Sequence, residues 1–207
     1  MAGTTNEDTN PMFNERTINR DVYQPRLETI AELLLNEIAP GWKTDPHMEG
    51  TPKRYAKWWA EFLNPPSSDS KMTTFPQAQV DQMVIVSDIK VWSLCAHHLL
   101  PFNATISIGY LAEHSVLGLS KFARMAELEA AQPTSQEALA DGIADRIQQA
   151  TGTSSVAVQA SGVHLCMTMR GVRSPATMTT SVTRGSFRDD PKTREEWLQL
   201  SQPHQPR

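Results

Sequence analysis

Cys95-Ala96-His97-His98 puts a thiol and two imidazoles within four residues, and a second cluster, His164-Leu165-Cys166, carries one more of each. Thiolate and imidazole are favoured zinc ligands, and Cys95 with His98 has the C-x-x-H spacing of half a zinc site. The chain has only two cysteines, so a second thiolate ligand has to be Cys166. Cys95, His98 and Cys166 make three ligands and leave one tetrahedral position open, as in catalytic rather than structural zinc sites. An ion held there would lower the pKa of a water in that position to about 7. His97 and His164 remain to move protons. Taken singly, each residue has a blander reading: a lone cysteine is usually a small buried hydrophobe and a lone histidine a satisfied polar group. The joint pattern outweighs those readings. A disulfide is the other use of two cysteines, and a reducing cytoplasm disfavours it.

Strand alternation gives the second cluster a face. Reading Val163–Arg170 as extended chain turns Val163, Leu165, Met167 and Met169 one way and His164, Cys166, Thr168 and Arg170 the other. His47, His114 and His204 have no such company and are read as surface residues.

Basic residues recur at helical spacing. Arg54 and Lys57 are three apart, and Lys121 and Arg124 repeat that spacing after Ser120. With Arg170, and with Ser120 and the free N–H groups of a helix start, they could hold a triphosphate. Locally, an i, i+3 basic pair is most often a solvated helix face. Glu137 is explained by a T-x-x-E capping box with Thr134; beside Gln136 it could instead accept hydrogen bonds from a guanine edge.

The elements that must position these groups follow from periodicity. Residues 1–24 are polar and aperiodic and read as a flexible arm. Arg26–Ile38 carries Leu27, Ile30, Leu33, Leu34 and Ile38 at helical spacing, stopped by Pro40 and Gly41. Thr51-Pro52 suits an N-cap and first turn of a helix to about residue 63. Met83–Leu94 is β-like, and Phe102–Tyr110 alternates, with Phe102, Ala104, Ile106, Ile108 and Tyr110 on one face. Ser120 caps a helix to about residue 131, and the box at Thr134 opens one to about residue 150, closed by Gly152. Residues 155–170 and 177–183 read as strands, and Thr193-Arg-Glu-Glu196 opens a last helix. Strands in adjacent groups, separated by helical pairs, predict an α+β fold with antiparallel pairing.

Composition bounds the rest. The 207 residues suffice for one domain with a core plus an arm. No apolar run approaches the length of a membrane span, and the N-terminus lacks the pattern of a secretory signal, so the cytoplasm is the expected compartment. Net charge is −4, yet the first 50 residues hold nine acidic and four basic side chains, which leaves the remainder slightly basic. That suits an anionic small molecule. No basic run is long enough to argue for nucleic acid.

Seven blocks resemble the GTP cyclohydrolase I family: TPKRYAK (51–57), SLCAHHLLPF (93–102), IGY (108–110), VLGLSKFAR (116–124), SQEAL (135–139), VHLCMTMRGV (163–172) and TREEW (193–197). They fall in the family's order. The resemblance implies the tunnelling fold, a four-stranded antiparallel sheet with helices packed on one side, here over residues 67–207 after a helical region at 25–66. It implies a homodecamer of two pentamers with active sites shared between subunits. The implied reaction is GTP plus water to 7,8-dihydroneopterin triphosphate and formate, serving pterin, folate or deazaguanine synthesis. Carried over by position, Cys95, His98 and Cys166 are zinc ligands and His97 and His164 the acid–base histidines, His164 in its protonated form giving a proton to N7. Arg54, Lys57, Ser120, Lys121, Arg124 and Arg170 contact the triphosphate, and Gln136 with Glu137 anchors guanine. Two departures stand out: Ala96 replaces the family's usual Glu, and Gln132 replaces a usual basic residue. The first leaves open a related enzyme of altered nucleotide preference, or a non-catalytic nucleotide- or pterin-binding member.

Overall fold

The computed structural model describes residues 20–65, 74–76, 82–113 and 115–202. Most of the expected N-terminal arm, His114 and His204 lie outside them. Contacts divide the chain into two compact units, Met1–Asn64 and Pro65–Arg207.

The first unit is a helical pair, α1 (Arg20–Ile38) and α2 (Thr51–Leu63). Helix α1 starts six residues before the periodic stretch and runs through Pro25 in its second turn. The two helices pack on each other and bury Ala31 and Leu35 of α1 with Ala56 and Ala60 of α2, three of the four being small. Of the expected apolar stripe, Leu27 shares this side, one turn before Ala31, and is half-buried; the other four residues do not turn inward. Ile30, Leu33, Leu34 and Ile38 stay 45–68% exposed. Helix α2 begins at Thr51 itself, behind Gly50 as N-cap. Gly50 has φ +70°, a left-handed conformation that glycine adopts without strain.

In the second unit the long strands are β2 (Gln82–Cys95), β3 (Pro101–Ala112), β6 (Val156–His164) and β7 (Thr177–Thr183). They form the expected antiparallel sheet in the order β2-β3-β6-β7, and β5 (Pro133–Thr134) adds a two-residue parallel edge beside Leu94 and Cys95. Two further strands, β1 (Thr74–Pro76) and β4 (Ser115–Leu117), pair separately. The alternation in β3 is realised: Phe102, Ala104, Ile106, Ile108 and Tyr110 are all buried. They pack against α3 (Leu119–Ala130) and α4 (Gln136–Thr151), which contribute Phe122, Met125, Leu139, Ile143 and Ile147. A smaller cluster joins Ala157 to Phe187 and Trp197, from α6 (Ser186–Asp189) and α7 (Pro191–Leu200). Trp197 lies so close to Gly109 that a Cβ there would stand 2.8 Å from its ring.

Three further caps differ from expectation. Gly118 precedes α3, so Ser120 lies inside the first turn. Ser135 caps α4 by accepting from Ala138 N–H, so Thr134 and Glu137 form no capping box. Asp190 caps α7, accepting from the Lys192 and Thr193 amides. The observed caps of α3 and α7 sit two and three positions nearer the N-terminus than expected, and that of α4 one position nearer the C-terminus; Ser135 and Asp190 are extended. Gly152 does end α4, at φ +74°.

Candidate metal centre

Cys95 ends β2, and the five residues to Pro101 fold tightly around it. Its N–H donates to Leu100 O, its carbonyl accepts from His98 and Leu99, and Ala96 N–H donates to Thr134 O on β5. Leu99 takes φ +54° to close this loop. The result is a buried Cys95 with exposed His97 and His98 beside it. Cys95 Sγ lies 3.6 Å from His97 Nδ1 and 3.9 Å from His98 Nδ1.

The partner cluster arrives differently from its predicted form. Strand β6 stops at His164, and residues Leu165–Thr168 form one helical turn, α5. Thr168 Oγ1 donates to His164 O and Met169 N–H to Leu165 O. Alternation therefore does not extend to Arg170. Arg170 lies beyond the turn's cap, Met169, and reaches the site through its own side chain, which meets His98. Antiparallel pairing sets His164 opposite Phe102, five residues after His97. The Cys166 turn thus emerges next to the loop that follows Cys95.

The ligand atoms of Cys95, His98 and Cys166 all lie within 4.8 Å of one another. Donors around tetrahedral zinc stand about 3.4–3.8 Å apart, so an inward shift of about 1 Å would complete the set. Two thiols and an imidazole are the donor chemistry zinc prefers, and the residues fit the ion. His97 is near Cys95 yet belongs to no three-ligand group among the described residues. Burial pushes the Cys166 thiol up, and Cys95 beside it pushes the same way, against a smaller opposing pull from Arg170. Two adjacent thiolates need a cation between them, which a divalent ion supplies. Arg170 Nη1 donates to His98 Nε2 at 2.5 Å.

Around this centre, His164 stacks on Phe102 at 4.4 Å and 5° and bonds Gln136 through Nε2 at 3.0 Å. Burial holds its pKa below the ordinary histidine value, partly offset by the Glu137 carboxylate. Gln136 is fully buried and Glu137 exposed. The structure therefore gathers Cys95, His97, His98, Gln136, Glu137, His164, Cys166 and Arg170. Ser120, Lys121 and Arg124 lie on the first turns of α3, which packs on β2. Arg54 and Lys57 belong to the helical pair. There Arg54 donates to Glu49 O and Thr51 Oγ1, and Lys57 stands 3.7 Å from Glu61. Sequence reasoning missed the Phe102 stack and the enclosure of Gln136. Gly162, a glycine inside a strand two residues before His164, was the available sign of a close approach.

The sequence profile of GTP cyclohydrolase I matches residues 28–202. The chain is 43% identical over 184 residues to GTP cyclohydrolase 1 of Sulfurihydrogenibium sp. (strain YO3AOP1), covering 86% of this chain and 95% of that one. It is 44% identical over 161 residues to GTP cyclohydrolase 1 of Aquifex aeolicus (strain VF5), covering 75% and 86%. Against GTP cyclohydrolase 1 of Drosophila melanogaster it is 38% identical over 213 residues, covering 95% of this chain and 65% of the fly protein.

Proposed function

The chain belongs to the GTP cyclohydrolase I family, and from that premise we propose that it hydrolyses GTP to 7,8-dihydroneopterin triphosphate and formate, the first step of pterin, folate or deazaguanine synthesis. The observation that carries the reading is the convergence of Cys95, His98 and Cys166 from two distant segments, with His97 and His164 beside them. The α+β sheet with its covering helices is that family's tunnelling fold.

Cys95, His98 and Cys166 would hold zinc, which when bound acidifies water and makes hydroxide available near neutral pH. The chain's own groups do the rest. His98 turns Nδ1 to Cys95 and Nε2 to Arg170; with zinc held at Nδ1, Nε2 would carry the ring's proton and would not accept from Arg170, which would leave that guanidinium to an anionic substrate. Exposed His97 carries protons to and from solvent. His164 rests neutral in the free protein, because burial disfavours its charged form. Its protonated form, the donor to the purine N7, is favoured by the Glu137 carboxylate. Glu137 accepts from the guanine edge. Ser120, Lys121 and Arg124 hold the triphosphate far from the reacting carbon and so contribute positioning; Arg54 and Lys57, on the helical pair, are triphosphate contacts by the family resemblance alone.

Assembly into a homo-oligomer, a decamer of two pentamers sharing active sites, is part of the same reading. Its support is the row of exposed Ile30, Leu33, Leu34 and Ile38 on α1, an apolar stripe of the kind that marks protein–protein contact. Among the described residues no helix is long and apolar enough to cross a membrane, and the reading places the enzyme in the cytoplasm. Purified, zinc-loaded protein should release formate and a fluorescent pterin from GTP. A protein with full zinc content and neither product refutes the proposal, and Ala96→Glu then separates a binding protein from a crippled enzyme.

A further inference from the structure

Gln136 opens α4 and is completely enclosed. Its carboxamide nitrogen faces three acceptors: Ala160 O at 3.0 Å, Met178 O at 3.1 Å and Thr180 Oγ1 at 3.3 Å. Two of these are main-chain carbonyls on β6 and β7, which can only accept. Flipping the amide would aim its oxygen at both, so the orientation is fixed by chemistry. Oε1 must then face His164, whose Nε2 is 3.0 Å away. A carboxamide oxygen cannot donate, so His164 Nε2 carries the hydrogen, and Nδ1 is the bare nitrogen of the neutral ring. Phe102 holds the ring plane by stacking. Gly162 makes the room: a Cβ there would stand 2.9 Å from Gln136 Oε1 and 2.1 Å from Asn103 O.

We infer that Gln136 is a positioning residue that sets the tautomer and orientation of His164, rather than a contact to the guanine base. Base recognition is left to exposed Glu137. The inference rests on the reading of His164 as a proton-transfer group, but its first test needs no turnover.

Zinc-loaded protein labelled with 15N-histidine is examined at pH 8, and the His164 signals are assigned by their loss in His164→Asn. The native chain should show the Nε2–H tautomer. Gln136→Met keeps the side-chain length and removes both amide ends. It should give mixed tautomers and a kcat about 10- to 100-fold lower, a part of the 10²–10⁴ that acid–base catalysis supplies, with KM for GTP within about threefold. Thr180→Val loosens one amide bond without touching the ring, and gives smaller changes of the same kind should Gln136→Met fail to fold. A native His164 bearing Nδ1–H overturns the inference. So does a Gln136→Met protein whose KM rises while kcat and the nitrogen spectrum stay unchanged. An Nε2–H spectrum in a protein that never turns over GTP counts against the enzyme reading and leaves the positioning role standing.

Discussion

Cys166→Ala and His97→Ala, made in parallel, separate a ligand from a neighbour. Both residues lie close to Cys95, but only Cys166 completes a set whose donors fall within 4.8 Å. Cys166 is also half-buried, whereas Cys95 is in the core, so its loss disturbs packing less. Structural zinc sites bind with about 10–16 kcal/mol across four ligands, or roughly 2.5–4 kcal/mol each. Removing one of three protein ligands should weaken zinc by roughly 100- to 1,000-fold. His97→Ala should leave affinity within about threefold while lowering turnover by about 10²-fold or more. Competition with a chromophoric chelator, read beside elemental zinc content, measures both. Affinity should also rise with pH, because the Cys166 thiol is held above its ordinary value and must lose its proton to bind. Equal zinc loss in the two variants, or stoichiometric zinc retained tightly by Cys166→Ala, would refute the assignment of the ligand set.

Gly162→Ala forces its Cβ against the Asn103 carbonyl at 2.1 Å on a central strand; it should cost on the order of 1–3 kcal/mol by denaturant unfolding. Tyr110→Phe removes the hydroxyl that accepts from the buried Leu117 amide, at 2.9 Å. The orphaned donor should cost about 1–3 kcal/mol, read as a lower melting temperature. In metal-free protein, His164 binds its proton more weakly folded than unfolded. Its contribution to stability is therefore complete above about pH 6.5 and fades as pH falls through the lower folded value. A His164→Asn protein should show a shallower loss of stability over that acid range in pH-dependent urea titrations, and identical slopes would count against the shift.

Local pattern carried the parts of this protein that depend on neighbours in sequence. The period of β3, the left-handed stop at Gly152 and the order of strands and helices follow from side-chain alternation and backbone sterics, which act within a few residues. The C-x-x-H of Cys95 and His98 was legible for the same reason, since the tight loop after β2 is itself local. The cap positions were not: Thr134 and Ser135, and Asp190 and Thr193, offer similar oxygens, while α2 and α3 start behind Gly50 and Gly118, which offer none. The α1 stripe was legible as helical, but its partner was not: Ala31, Ala56 and Ala60 are buried where α2 docks, on a side that only Leu27 of the stripe shares.

From residue types alone, Cys95, His98 and Cys166 could be named as one ligand set, because the chain holds only two thiols and chemistry needs both. How they meet was a tertiary matter. The strand expected to carry His164, Cys166 and Arg170 on one face ends at His164, and a helical turn swings Cys166 toward Cys95. Gln136 shows the same division. Beside Glu137 in sequence it looks like half of a base-binding pair, yet the pairing of β6 with β7 brings two carbonyls against its amide and turns it to His164. Acceptors contributed from 24 and 42 residues away have no signature in the local sequence, so only the assembled sheet could decide its role.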